Sequence, residues 1–448
     1  MLRSAHIVFF TVSGVLLLMK RSSRWFSGSV LATALCLAGA AGSANAASVP
    51  TAASHDSRGG GIPALRAGVA PALGASPAVA HLYAYFNGGT CVHGQGGKPY
   101  ECLGVGAVLH GSVYLPLVEE SSGGRWTKTS KVGEPSAPHD VTVGEEVSCA
   151  VVRHKLPDCM MVGVHYNYGK TTVQLAEWGG PAGFRVVAAA NPRGTSWSSM
   201  QAVSCPTAKF CVIGGQAGKG SASGHATAYT WNGSALRAMS VPAPPRSHLS
   251  QVAAISCVST KLCVAVGDYD NAADRTEPYT VIWRDGKWKL QSAQVVAGAT
   301  GTVVEDVSCP TSTFCMAAGY SDLGTSQQQF TQSWNGRAWR LVSMPAEADS
   351  GLNGVSCLKA TACMVGGVTR NDGLIERWSS ATGWSVMKPV QTGKPNADVF
   401  THLSWLSPTS AVAFGLRFNP SPRYEGNDRT LAERWNGKAW TVQSTENS

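Results

Sequence analysis

Few residues in this sequence have the types and spacing that chemistry needs. Glu146, Asp306 and His402 each stand three residues ahead of a cysteine, or of the residue that replaces one, and Glu145 and Glu305 adjoin the first two. Side chains two apart on an extended strand share a face. These groups therefore lie on the same face as the serine that directly precedes each cysteine. Carboxylates and an imidazole gathered at one end of a repeat array would suit a cation, a polar ligand or general acid–base work. Other repeats carry Ala202, Ala254 and Gly354 at this position, so the repeat itself does not demand the ionisable set. The competing reading is solvated side chains at strand starts. Trp197 falls outside the repeat frame, in an expected loop, and is a second candidate contact. The expected ligand-binding residues are thus Glu146, Asp306, His402 and Trp197, with no catalytic residue assigned.

Other constellations are absent. The serines before the first cysteines (Ser148, Ser204, Ser256, Ser308, Ser356 and Ser404) have no G-x-S-x-G elbow and no paired histidine. A hydrogen bond between repeats is their expected role. No His shows H-E-x-x-H or H-x-x-x-H spacing, and the cysteines lack the C-x-x-C spacing of zinc sites, so neither a metal nor a cofactor is expected.

The cysteines constrain most. Of 13, one lies near the start at Cys36. The other twelve form sequential pairs: Cys91 with Cys102, Cys149 with Cys159, Cys205 with Cys211, Cys257 with Cys263, Cys309 with Cys315 and Cys357 with Cys363. An even count in an exported chain points to disulfides, and each repeat carrying its own pair points to local pairing.

A glycine stands four residues after each second cysteine: Gly106, Gly163, Gly215, Gly267, Gly319 and Gly367. A further copy keeps the frame with Trp405 and Ala411 in place of cysteines and ends at Gly415. The steps between these glycines are 57, 52, 52, 52, 48 and 48 residues. Each unit supplies a short run ending at Ser-Cys, a five-residue turn, a second run through the glycine, a third ending at Trp, and a fourth carrying another aromatic. Asn-Gly or Asp-Gly joins the last two (Asn232-Gly233, Asp285-Gly286, Asn335-Gly336, Asn436-Gly437), a strong hairpin signal. Four antiparallel strands per unit of about 50 residues is the blade of a β-propeller. The expected fold is all-β, a single seven-bladed β-propeller with four antiparallel strands per blade, over residues 81–448. Residues 81–90 fit either the first strand of blade one or a strand clasping the last blade. Trp178, Trp231, Trp283, Trp288, Trp334, Trp339, Trp378, Trp384, Trp435 and Trp440 could stack on sugars. Their fixed place in every unit favours packing between blades.

The first 46 residues read as a signal peptide: basic Lys20, Arg21 and Arg24, an apolar run Gly28 to Gly39, and the small-residue cleavage site Ala44-Asn45-Ala46. Translation could begin at Met1 or at Met19. The run Ile7 to Met19 is shorter than the roughly 20 residues of a membrane span, and no span is expected in the mature chain. Residues 47–80, rich in Ala, Gly, Ser and Pro, read as a flexible linker. Beyond residue 46 there are 32 basic and 27 acidic residues, a net +5 with no basic block, which gives nucleic-acid binding no support.

The layout resembles secreted bacterial β-propeller repeat proteins. Gly214-Gly215 and Gly366-Gly367, with Tyr229 and Trp231 following the first pair, are similar to kelch repeats. The resemblance spans residues 81–445. It implies architecture and leaves activity open, because propellers host unrelated functions. The copper radical chemistry of some kelch-type propellers needs a free cysteine, and all twelve here are committed to pairs. The expected function is an exported, monomeric binding or scaffold module, secreted and cell-wall associated. Its partner would be a glycan or a cell-surface protein at one channel mouth. The alternative is an extracellular carbohydrate-active hydrolase or lyase using the same carboxylates.

Overall fold

A computed structural model describes residues 83–93, 101–110, 113–128, 141–150, 158–167, 170–178, 184–188, 191–219, 224–347, 349–370, 372–390, 398–417 and 428–446. It also describes two short strand pairs, Ile7–Val8 with Met19–Lys20 and Thr11–Val12 with Val15–Leu16. The rest of the expected leader and all of the linker lie outside the described residues.

The protein is an all-β propeller of antiparallel blades. The Cys309 blade shows the plan, with strands Gly301–Thr311, Phe314–Asp322, Gln327–Trp334 and Trp339–Val342 hydrogen-bonded in chain order from the axis outward. Alternation sets its register. Cys315 pairs with Trp334, and Trp334 pairs in turn with Trp339, so sulfur and indoles fall on one face.

The expectation of seven uniform four-stranded blades needs correction. Among the described residues, six sheets of the propeller have four strands, and the sheet of the Cys257 repeat has five. There the inner strand is cut into Leu249–Ser250 and Ala254–Ser259. Between the pieces the N–H groups of Gln251 and Ala253 still donate to the carbonyls of Asp268 and Val266 on the facing strand, so both pieces stay bonded to it across the irregular stretch.

The turn between the first two strands also differs from expectation. Strands run on past the cysteines, with Thr311 pairing Phe314 and Ser259 pairing Leu262, so a two-residue turn replaces the five-residue one. All six expected local disulfides form. Cys91 is bonded to Cys102, Cys149 to Cys159 and Cys205 to Cys211. Cys257 is bonded to Cys263, Cys309 to Cys315 and Cys357 to Cys363. Their Cα atoms lie 3.9–4.1 Å apart because the two cysteines face each other directly across the ladder. The second cysteine of each pair (Cys102, Cys159, Cys211, Cys263, Cys315 and Cys363) is buried in the apolar cores. All twelve therefore serve as cross-links and packing residues. Six disulfides are typical of extracellular proteins. Among the described residues, no helix is long and apolar enough to cross a membrane.

The outer hairpins follow their turn chemistry. Asp285 and Gly286 both take positive φ (46° and 89°) in a two-residue turn between Arg284 and Lys287. In the Asn-Gly copies the asparagine side chain closes the loop, as where Asn335 Oδ1 accepts the N–H groups of Arg337 and Ala338.

Hydrophobic cores lie between blades. One combines Val264, Val266 and Ile282 of the Cys257 blade with Val307, Phe330, Trp334 and Trp339 of the next. Trp231, Trp283, Trp288, Trp334, Trp339, Trp378, Trp384, Trp435 and Trp440 are therefore packing residues, as their periodicity implied; the side chain of Trp178 lies outside the described residues. Each inner strand abuts the inner strand of the following blade, and the last, Asp398–Ser407, returns to the first, Ala84–Val92. Ala84–Val92 is thus the first strand of blade one, paired with Glu101–His110, and not a clasp on the last blade. The ring closes without a shared sheet: the N–H of Ala84 donates to the carbonyl of Asp428 at 2.9 Å, Trp126 Nε1 donates to Gln443 Oε1 at 3.0 Å, and Glu119 accepts the N–H of Glu446 at 3.1 Å.

Candidate functional site at the ring axis

An innermost strand has one edge with no strand beside it. Its N–H groups face the axis and need acceptors. The repeated serine supplies one. Ser148 Oγ accepts the N–H of Cys205, Ser204 that of Cys257, Ser256 that of Cys309, Ser308 that of Cys357 and Ser356 that of Trp405, all at 2.9–3.0 Å. Ser404 accepts the N–H of Cys91 at 3.0 Å and carries the same bond across the closing seam. The expectation of a hydrogen bond between blades holds at each of these serines.

Just upstream, inner strands bulge. Asn87, Glu145, Gln201, Glu305, Asn353 and Thr401 are each an extra residue in the ladder. The bulge explains the marker glycine. It drives a carbonyl onto the facing Cα, so that a Cβ on Gly319 would lie 2.0 Å from the Val303 oxygen and one on Gly415 1.9 Å from the Val399 oxygen. Bulged side chains tie blades together: Asn87 donates to the carbonyl of Gly144, Asn353 to that of Phe400 and Thr401 to that of Phe86.

The variable position follows each bulge. Around the axis it reads Asp306, Gly354, His402, Gly88, Glu146, Ala202 and Ala254. Gly88 adds a member to the series of variable positions that the repeats show from Glu146 onward. Its role is steric, because a Cβ there would lie 2.9 Å from Glu146 Oε1. Over this gap Glu146 Oε2 and His402 Nδ1 meet at 3.3 Å, although their strands are separated by the first blade. Their side chains keep about a fifth of their surface accessible (19% and 20%), yet packed protein surrounds them. Burial raises the Glu146 carboxyl well above the ordinary range, with Asp306 adding to the rise and the Val147 N–H opposing it. Burial also lowers His402 to about 4. A neutral imidazole thus faces a carboxyl group that its surroundings favour in protonated form.

Asp306 stands apart from this pair. Its Oδ1 accepts the N–H of Val307 at 2.6 Å and its Oδ2 that of Val355, on the next blade, at 2.8 Å. Burial lifts its pKa to about 7 against these two donors. Glu146 uses Oε1 in the same way, on Val147 at 2.8 Å. The structure therefore brings Glu146 and His402 together, with Asp306 near enough to act on Glu146 electrostatically but engaged with the backbone. Trp197 is not in a loop. It opens the strand Trp197–Thr207, is 8% exposed and covers Gly224, and so packs as a wall residue.

Glu145, Asn87 and Tyr85 extend the cluster. Asn87 Nδ2 donates to Glu145 Oε2 at 3.3 Å. Burial, then Glu146, raises Glu145 well above 4.5. Tyr85 is raised by burial and next by Glu145, within whose electrostatic reach it lies. Among the described residues, no group of His, Cys, Asp and Glu has a spacing that would hold a metal ion.

No family model matches the chain. No curated protein matches it either. Solved structures similar to it include a fucose-specific lectin from Aleuria aurantia, 12% identical with a TM-score of 0.42, over 69% of this chain and 96% of that one. YCF48 from Cyanidioschyzon merolae is 9% identical with a TM-score of 0.44, over 76% and 94%. A puromycin-hydrolyzing peptidase from Mycobacterium tuberculosis is 12% identical with a TM-score of 0.49, over 81% of this chain and 52% of that one.

Proposed function

We propose that the protein is an exported binding module. Residues 1–46 are the leader, 47–80 the linker, and the monomeric propeller presents a ligand site at one mouth of its axis. The ligand is a glycan or a cell-surface protein. The observation that carries this reading is the engagement of the axial acids. Both oxygens of Asp306 and one of Glu146 accept backbone N–H groups of the inner strands. An acid–base pair would need these oxygens free for substrate. Held this way, they build a rigid polar wall on which Glu146 and His402 remain solvent-accessible, and recognition asks for such a wall.

The experiment is retention of the pure protein on a glycan array and on cell-wall preparations, with soluble products assayed in parallel. Retention without turnover is the expected result. Release of reducing sugar by the wild type, lost in Glu146→Gln, would replace this reading with a hydrolase or lyase.

A further inference from the structure

We propose that the group formed by Tyr85, Asn87, Glu145, Glu146 and His402 binds a primary ammonium, presented by an amino sugar or a lysine side chain. This rests on the binding-module reading and names its ligand chemistry. Three observations carry it.

First, the acids here have no cationic partner. Among the described residues, no lysine or arginine pairs with Glu145 or Glu146, whereas buried Asp398 is held by Arg417 at 2.9 Å. A buried carboxylate without a countercharge is costly. Second, two polar atoms in the group are buried and unpartnered: the hydroxyl of Tyr85, a residue only 2% exposed, and Oδ1 of Asn87. Buried polar atoms are nearly always bonded, so both atoms are open to a polar partner. Third, the open functions can all accept: two carboxyl groups that an arriving cation would ionise, an amide oxygen, a phenol oxygen and a neutral imidazole. An ammonium offers three N–H donors and no acceptor, and it supplies the countercharge. The way in is provided by Gly88, which leaves Glu146 and His402 open to solvent.

The test is calorimetric titration of the mature chain with four probes: glucosamine, N-acetylglucosamine, Nα-acetyl-lysine methylamide and its Nε-acetylated form. The amines should bind and the acetylated forms should not, and the tighter amine identifies the source. In Glu145→Gln, with an unchanged melting temperature, amine affinity should fall about tenfold or more, the loss of a charge-assisted hydrogen bond. Tyr85→Phe removes only the unpartnered hydroxyl, so it should weaken binding while leaving stability equal or higher. Equal binding of acetylated probes, or no binding of either amine, overturns the inference. If amines fail while the protein is still retained on cell walls or glycans, the binding-module reading survives alone. If retention also fails, both fall.

Discussion

Two levels of the same inner strands lie two residues apart and differ in kind. At the lower level, the serine before each cysteine bonds the N–H of the next blade, bond after bond, across the closing seam as well. At the upper level the side chain changes from blade to blade: Asp306, Gly354, His402, Gly88, Glu146, Ala202, Ala254. Both levels face the axis, and both supply acceptors to an unpaired strand edge. The lower one repeats because six of the described blades present the same N–H to a serine of the preceding blade. The upper one varies, and its glycines let side chains from non-adjacent strands meet. Uniformity therefore marks what closes the ring, and variation marks what the ring can hold.

The levels should separate most clearly by pH, since only the upper one ionises. Asp306 is raised to about 7, so its contribution to stability is full below pH 3.8 and is lost as pH rises through 7. Glu376 and Glu433, each raised to about 7 by burial, and Asp268, raised to about 6, act in the same direction. His402 opposes them: lowered to about 4, its contribution is present above 6.5 and lost as pH falls through 4. Melting temperature should therefore decline between pH 5 and pH 8, less steeply in Asp306→Asn; a flat profile would remove the buried acids from the account. Next in size, Gly319→Ala should cost about 3 kcal/mol or more by forcing a Cβ against the Val303 carbonyl, measured by urea unfolding. Wild-type stability there would disprove the bulge explanation of the marker glycine. Replacing Cys309 and Cys315 together with alanine should cost about 2–3 kcal/mol, since the cross-link constrains the unfolded chain. Ser308→Ala should cost about 1–2 kcal/mol, because it strands the N–H of Cys357.

Much of this was legible in the sequence, for stated reasons. Cysteine pairs, the serine and the two aromatics of each hairpin recur because all blades share one cross-strand register, and recurrence is what a sequence displays. The bulge was not legible. An inserted residue has no side-chain signature, and here it is Asn, Glu, Gln or Thr. Its trace was the glycine opposite it, which served as a frame marker without a physical cause. Gly88 escaped because Tyr85-Phe86-Asn87-Gly88 imitates the Asn-Gly hairpin of the outer strands. Tyr85 and Asn87 escaped with it. Trp197 was expected in a loop because strand starts lie beyond the recurring motif. The pairing of Glu146 with His402 joins strands that are not neighbours, a relation that only the closed ring creates.

The most direct test sets the two levels against each other in one experiment. Melting temperature and retention on the cell-wall preparation are measured for Ser308→Ala and for Glu146→Gln. Ser308→Ala should lower the melting temperature and keep retention, while Glu146→Gln, which keeps an oxygen for the Val147 N–H, should lose retention without lowering the melting temperature. If both properties fell together in both variants, or if Glu146→Gln left retention intact, the division between a structural level and a binding level would be contradicted.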